Sequence, residues 1–276
     1  MSGLEFTIPA TIVFILGLAL GSFANVVISR VPAGRSFVAP RSRCPHCGTT
    51  IRWRDNIPVV SWLALRAKCR DCGGPISWRY PGVEIASGIL WLLAVLAFGV
   101  GPQAVIAGFF FWMLLVLTFI DIDTMRLPNP IVAVLGAVGM AAAAASQLTG
   151  LHLAPLTPAA TVASPIAAAL LGSVTAAGLS WGIAAAYERM RGQAGLGMGD
   201  VKLLAAIGPF LGLYTVAVIF VGSVLGAGFV ACRAYRRGVD SRLKVPFGPF
   251  LAGAAVLIAL FGAQIWDWYL RLIGLS

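Results

Sequence analysis

Charge is what this sequence has least of. Only ten of its 276 residues are acidic, and 11% are charged in all, where soluble domains carry about 25%. With 59% hydrophobic residues and a mean hydropathy of +0.90, that shortage excludes an ordinary soluble domain. It describes an all-α polytopic membrane protein embedded in the lipid bilayer. A basic region ahead of a short N-terminal apolar core is also missing. Glu5 stands there, and the apolar stretch 8–28 is long enough to span, so a retained first helix is expected rather than a cleaved signal peptide. No internal repeat is visible, which argues against a transporter built from related halves. The glycine-rich turn between strand and helix that marks many soluble cofactor sites is absent as well.

The basic residues are patterned. Of the twenty, ten lie between Arg30 and Arg79. In a soluble chain a net charge of +10 would suggest nucleic acid. Here the cations cluster in short loops beside apolar segments, as the positive-inside rule requires, and no nucleic-acid partner is expected. The 32–81 loop reads as cytoplasmic and the N-terminus as external. Further apolar stretches cover 83–100, 104–120, 131–148 and 165–187. The segment 149–163, without Asp, Glu, Lys or Arg, suits an external loop.

Between Asp200 and Arg233 an even number of crossings must fit. Two short helices are expected, 201–212 and 216–233, with the turn near 209–213. With a last span at 250–268 the total is about eight transmembrane helices. The expected division is a first helix at 1–31, a cytoplasmic four-cysteine domain at 32–81 and a membrane domain at 82–276.

Cys44-Pro-His-Cys47-Gly48 and Cys69-Arg-Asp-Cys72-Gly73 are two C-x-x-C knuckles, 21 residues apart. Four such thiolates make the tetrahedral set of a structural zinc site, which leaves no open position for a catalytic water. Glycine after each second cysteine lets the backbone turn tightly. Disulfides or a redox pair are the competing readings, and a cytoplasmic location disfavours the first. His46 reads as a knuckle residue rather than a ligand, and Cys232 as a small apolar filler at a helix end.

Three carboxylates lie at the edges of apolar segments: Asp121, Asp123 and Asp200. A charge at mid-bilayer costs roughly 2.5–3.5 kcal/mol on insertion scales. Aspartyl catalysis needs two carboxyls sharing one proton, and Asp121 and Asp200 sit on different segments at similar depth. Taken singly, Asp200 could instead be the N-cap of its helix, and Asp121 and Asp123 a cap before Leu127-Pro128.

Together the motifs resemble one family, the bacterial type IV prepilin peptidases. Gly21-Ser-Phe-Ala-Asn25-Val-Val-Ile-Ser-Arg30, both cysteine pairs, Asp55-Asn-Ile-Pro58, Ser61-Trp62 and Ile76-Ser-Trp-Arg79-Tyr-Pro81-Gly-Val-Glu84 occur in the family's order. Asp121-Ile-Asp123, Leu127-Pro128, Gly197-Met-Gly-Asp200-Val-Lys202 and Pro246-Phe-Gly-Pro249 complete it. The resemblance implies an intramembrane aspartyl protease of the bacterial inner membrane, with Asp121 and Asp200 as the catalytic pair. It would cut the basic leader from prepilins or pseudopilins after a glycine, on the cytoplasmic side. It also implies N-methylation of the new terminus with S-adenosylmethionine.

Glu84 is the candidate partner of that sulfonium, or else a carboxylate at a helix start. Bifunctional members usually have glycine where this chain has Ala67, which would either crowd the site or forbid a positive φ. The runners-up are a transporter and a thiol redox protein carrying a zinc module. A homodimer is compatible with the sequence.

Overall fold

The computed structural model describes residues 3–39, 41–157, 164–192, 195–237, 245–272 and 274. Among them every long element is a helix: α1 (Gly3–Arg30), a five-residue α2 (Val60–Ala64), α3 (Arg79–Phe98), α4 (Pro102–Thr124), α5 (Asn129–Thr149), α6 (Pro165–Arg191), α7 (Met198–Leu211), α8 (Thr215–Arg237) and α9 (Gly248–Leu272). Among the described residues seven stretches are long and apolar enough to cross a membrane, and the chain is a multi-pass membrane protein. The sixth stretch, Met198–Arg236, contains both α7 and α8. The expected short pair is therefore present, broken by a 3₁₀ turn at Gly212–Tyr214. At ~1.5 Å per residue α7 is about 21 Å long, less than the ~30 Å of a bilayer core.

The chain forms two compact units, Met1–Ile120 and Asp121–Ser276. In the first, α1 and α3 pack backbone to backbone. A methyl on Gly17 would lie 2.8 Å from the Gly88 Cα, and small residues spaced four apart, Gly17 and Gly21, permit that approach. The Ser87 hydroxyl donates to the Gly17 carbonyl at 2.6 Å, and Asn25 Nδ2 to the Tyr80 carbonyl at 3.1 Å. Trp112 donates to the Leu20 carbonyl at 3.0 Å and stacks on Phe23.

In the second unit α7 is the central helix, with nine of its fourteen residues buried. Its C-terminal carbonyls, which no helical N–H can satisfy, are taken by the loop after α5. The Leu156 N–H donates to the Phe210 carbonyl at 2.6 Å, and the Thr157 hydroxyl to the Leu211 carbonyl at 2.9 Å. The remainder of the expected external loop, 158–163, lies outside the described residues, as do Arg242 and Lys244 of the last basic loop.

Candidate functional site

Asp121 sits near the C-terminal end of α4, where the helix dipole is unfavourable to a carboxylate. An opposing helix end compensates. The first N–H groups of a helix lack internal partners, and that of Gly248, at the start of α9, donates to Asp121 Oδ2 at 3.0 Å. Gly248 also approaches the carboxylate closely: a Cβ there would lie 2.7 Å from Oδ2. The Asp121 side chain is buried, whereas Asp123, two residues on, is exposed.

Asp200 enters from the other side. Gly197 is the extended residue that starts α7, and Asp200 occupies the first turn, its own N–H bonded to the Gly197 carbonyl at 3.0 Å. The N-cap expectation for Asp200 is thus corrected by three positions, because Gly197 rather than Asp200 leaves the helical region. Gly199 lies against Leu127, 3.5 Å from a built Cβ to the Leu127 Cβ. The loop after Asp121 and the start of α7 thereby meet.

Both carboxylates line one cavity of about 1030 Å³. Its wall is mixed. Ile183, Tyr187, Ile219 and Phe247 are apolar, and Arg126 and Lys202 are cationic. Lys202 Nζ donates to Asn129 Oδ1 at 3.0 Å.

The first unit holds the cysteine constellation. Each knuckle is closed by the same pair of hydrogen bonds. The Cys44 N–H donates to the Thr49 carbonyl and the Gly48 N–H to the Cys44 carbonyl, both at 2.9 Å. The Cys69 N–H donates to the Gly74 carbonyl at 2.8 Å, and the Gly73 N–H to the Cys69 carbonyl at 2.9 Å. Gly48 and Gly73 take φ of +72° and +68°, as expected of their positions.

The four sulphurs lie within 4.8 Å of one another, Cys44 Sγ and Cys72 Sγ at 3.9 Å. A tetrahedron with ~2.3 Å arms has edges of ~3.8 Å, so the set fits a metal ion. Thr49 draws the Cys47 thiol down to about 6 through its hydroxyl and backbone, and backbone N–H groups lower Cys69. Cys72 is pushed up to about 12, by burial and by the neighbouring thiols, against the lowering hydrogen bond from Gly74. A cation among them removes that conflict.

A lattice of side chains ties this loop together. Arg70 donates to both oxygens of Asp55, with Nε at 3.0 Å and Nη2 at 2.6 Å. Arg52 pairs with Asp71 at 3.6 Å. Glu84 is buried one turn past the start of α3 rather than at it. Its Oε2 accepts the Val59 N–H at 2.7 Å, and the Ser22 hydroxyl hydrogen-bonds its carboxyl group.

Ala67 takes φ +58°, so its methyl does not forbid the left-handed region, contrary to one expectation. Cys232 is exposed on α8, which continues to Arg237; it is not a core filler. Sequence reasoning also missed the Gly248 N–H, for which Phe247-Gly248-Pro249 at a helix start was the available signal.

Residues 15–98 match the bacterial peptidase A24 N-terminal domain, and residues 108–232 match the type IV leader peptidase family. Among curated relatives is a prepilin leader peptidase/N-methyltransferase of Aeromonas salmonicida, 32% identical, the match covering 95% of this chain and 94% of the relative. A protein of the same name from Stutzerimonas stutzeri is 34% identical over 98% and 99%. One from Pseudomonas aeruginosa is 33% identical over 94% and 93%. No solved structure matches. The resemblance read from the motifs is borne out.

Proposed function

The chain belongs to the type IV leader peptidase family, and from that premise we propose that it cuts prepilin leaders by aspartyl catalysis, with Asp121 and Asp200 sharing one proton. The carrying observation is that these two carboxylates, 79 positions apart in sequence, line a single cavity. The ionised carboxylate takes a proton from a water, whose oxygen adds to the scissile carbonyl. The protonated partner hydrogen-bonds the carbonyl oxygen. Collapse breaks the C–N bond, and a proton passes to the leaving amine. Water ends as the new carboxylate of the leader and the new amine of the mature chain. The apolar wall at Ile183, Ile219 and Phe247 suits an apolar backbone segment beside the cut.

The cut falls after glycine on the cytoplasmic face of the inner membrane. The concentration of Lys and Arg between Arg30 and Arg79 supports that orientation. Cys44, Cys47, Cys69 and Cys72 hold a structural zinc, which orders a loop too poor in apolar residues to build its own core. N-methylation of the new terminus is the second activity, as the relatives' names suggest. S-adenosylmethionine would supply the methyl group. Glu84 does not offer its sulfonium a free carboxylate, being already engaged by the Val59 N–H and the Ser22 hydroxyl, so no step is assigned to it.

The test is to mix purified protein with a prepilin-type leader peptide and read masses. The reading expects two fragments parted after the glycine and, with the methyl donor, a mature fragment one methyl heavier. An intact peptide beside zinc-loaded, folded protein contradicts it.

A further inference from the structure

Two helices fix how deep α2 lies. The Val59 N–H, at the head of α2, is bonded to Glu84, and Glu84 is five residues into α3, about 7 Å along its axis at ~1.5 Å per residue. Gly21 of α1 backs directly on Glu84, nine residues before α1 ends at Arg30, or about 13 Å. Both helices are long and apolar enough to cross a membrane over these residues. The head of α2 therefore sits inside the ends of both spans, not beyond them.

At that depth the segment is apolar on its outer side. Ile57, Val60 and Leu63 are 42%, 57% and 62% exposed, and residues 60 and 63 share a face of α2. Trp53, 76% exposed, is held beside them, since the Ser61 hydroxyl donates to the Arg54 carbonyl at 2.9 Å. Trp78, 75% exposed, stands one residue before α3.

Cations flank the patch. Arg54 and Arg66 are exposed and make no ion pair among the described residues. The loop's two acids, Asp55 and Asp71, are already taken by Arg70 and Arg52. Apolar side chains at interfacial depth, rimmed by tryptophan and exposed arginine, match an anionic leaflet.

We propose that residues 53–66 form a wedge seated in the anionic leaflet. Ile57, Val60 and Leu63 reach the acyl boundary, Trp53 and Trp78 lie among the headgroups, and Arg54 and Arg66 rest on lipid phosphates. The four-cysteine loop is then held against the membrane surface by lipid as well as by its two flanking helices.

The test reconstitutes the full chain without substrate, so its outcome is independent of the catalytic reading. Vesicles are zwitterionic or contain phosphatidylglycerol, each with brominated acyl chains, and Trp53 is read as the difference between the unaltered chain and Trp53→Phe. Trp53 is largely exposed, so the substitution leaves the fold intact, and zinc content checks this.

In anionic vesicles the Trp53 emission should be quenched by brominated lipid and shielded from aqueous iodide. Arg54→Gln and Arg66→Gln should each lower the equilibrium constant for seating about fivefold. Emission open to iodide and untouched by bromine overturns the wedge. Equal quenching in zwitterionic vesicles overturns the anionic partner. Shielding that appears only when a leader peptide is added assigns the patch to substrate instead.

Discussion

At Gly248 a methyl group would press on the Asp121 carboxylate, at 2.7 Å from Oδ2 and 3.2 Å from Cγ. Because the end of that side chain can rotate, Gly248→Ala should keep the fold and displace the carboxylate from its N–H partner. A misplacement of that size lowers turnover by about a hundredfold. Gly253→Ala, on the same helix but facing open space, should leave leader cleavage unchanged.

Ala67 pays in backbone strain for its φ of +58°, since the left-handed region costs a side-chain-bearing residue about 1–2 kcal/mol. Ala67→Gly should stabilise the cysteine loop by up to about 1 kcal/mol after the unfolded chain's added freedom is subtracted. Slower zinc loss to a chelator measures it, with cleavage unaffected.

Asp55 gives the pH dependence. The Arg70 guanidinium holds its carboxyl below the usual carboxylate range. A lowered folded-state value means stability that is present above the ordinary pKa and lost as pH falls through the folded one. Asp55→Asn should therefore loosen the loop at neutral pH, and its difference from the unaltered chain should vanish in acid, below pH ~4. Proteolysis within 32–81 across pH reads this.

Among the elements, α7 decides the site, because it carries Asp200 and packs through small residues. A Cβ on Gly208 would run into the backbone of α6 at Gly172 and Ser173. Backbone cannot give way as a side-chain end does, so Gly208→Ala should destabilise the second unit by about 1–3 kcal/mol. Leader cleavage should fall with it, as Asp200 lies eight residues up the same helix; a thermal unfolding curve and a cleavage assay read the two effects together.

The pairing of α7 with α8 was legible in the sequence, since a fixed number of crossings had to fit between two basic regions. The boundaries moved because Gly197 starts the helix earlier than the apolar pattern does, and because α8 runs on through Arg233 to Arg237. The short α2 was not legible. Its five residues show too little periodicity, and what holds it, the Glu84 carboxylate on the Val59 N–H, is a contact between residues 25 apart. Val59 itself takes φ +61°, a conformation that the residue type argues against.

Across the whole molecule, the two side-chain constellations are divided. The cysteine loop and its wedge belong to Met1–Ile120, and both carboxylates to Asp121–Ser276. Cysteine spacing, charge bias and the two aspartate motifs made the constellations legible. That Asp121 rather than Asp123 turns inward follows only from the helix geometry at the end of α4 and from the start of α9. The central claim is that two carboxylates sharing a proton cut the leader, and an amide cannot exchange that proton. The most direct measurement compares leader cleavage by purified Asp121→Asn, Asp200→Asn and Asp123→Asn proteins, each verified as membrane-inserted and zinc-loaded. The account predicts no cleavage by the first two and substantial cleavage by the third; full cleavage by either Asp121→Asn or Asp200→Asn would contradict it.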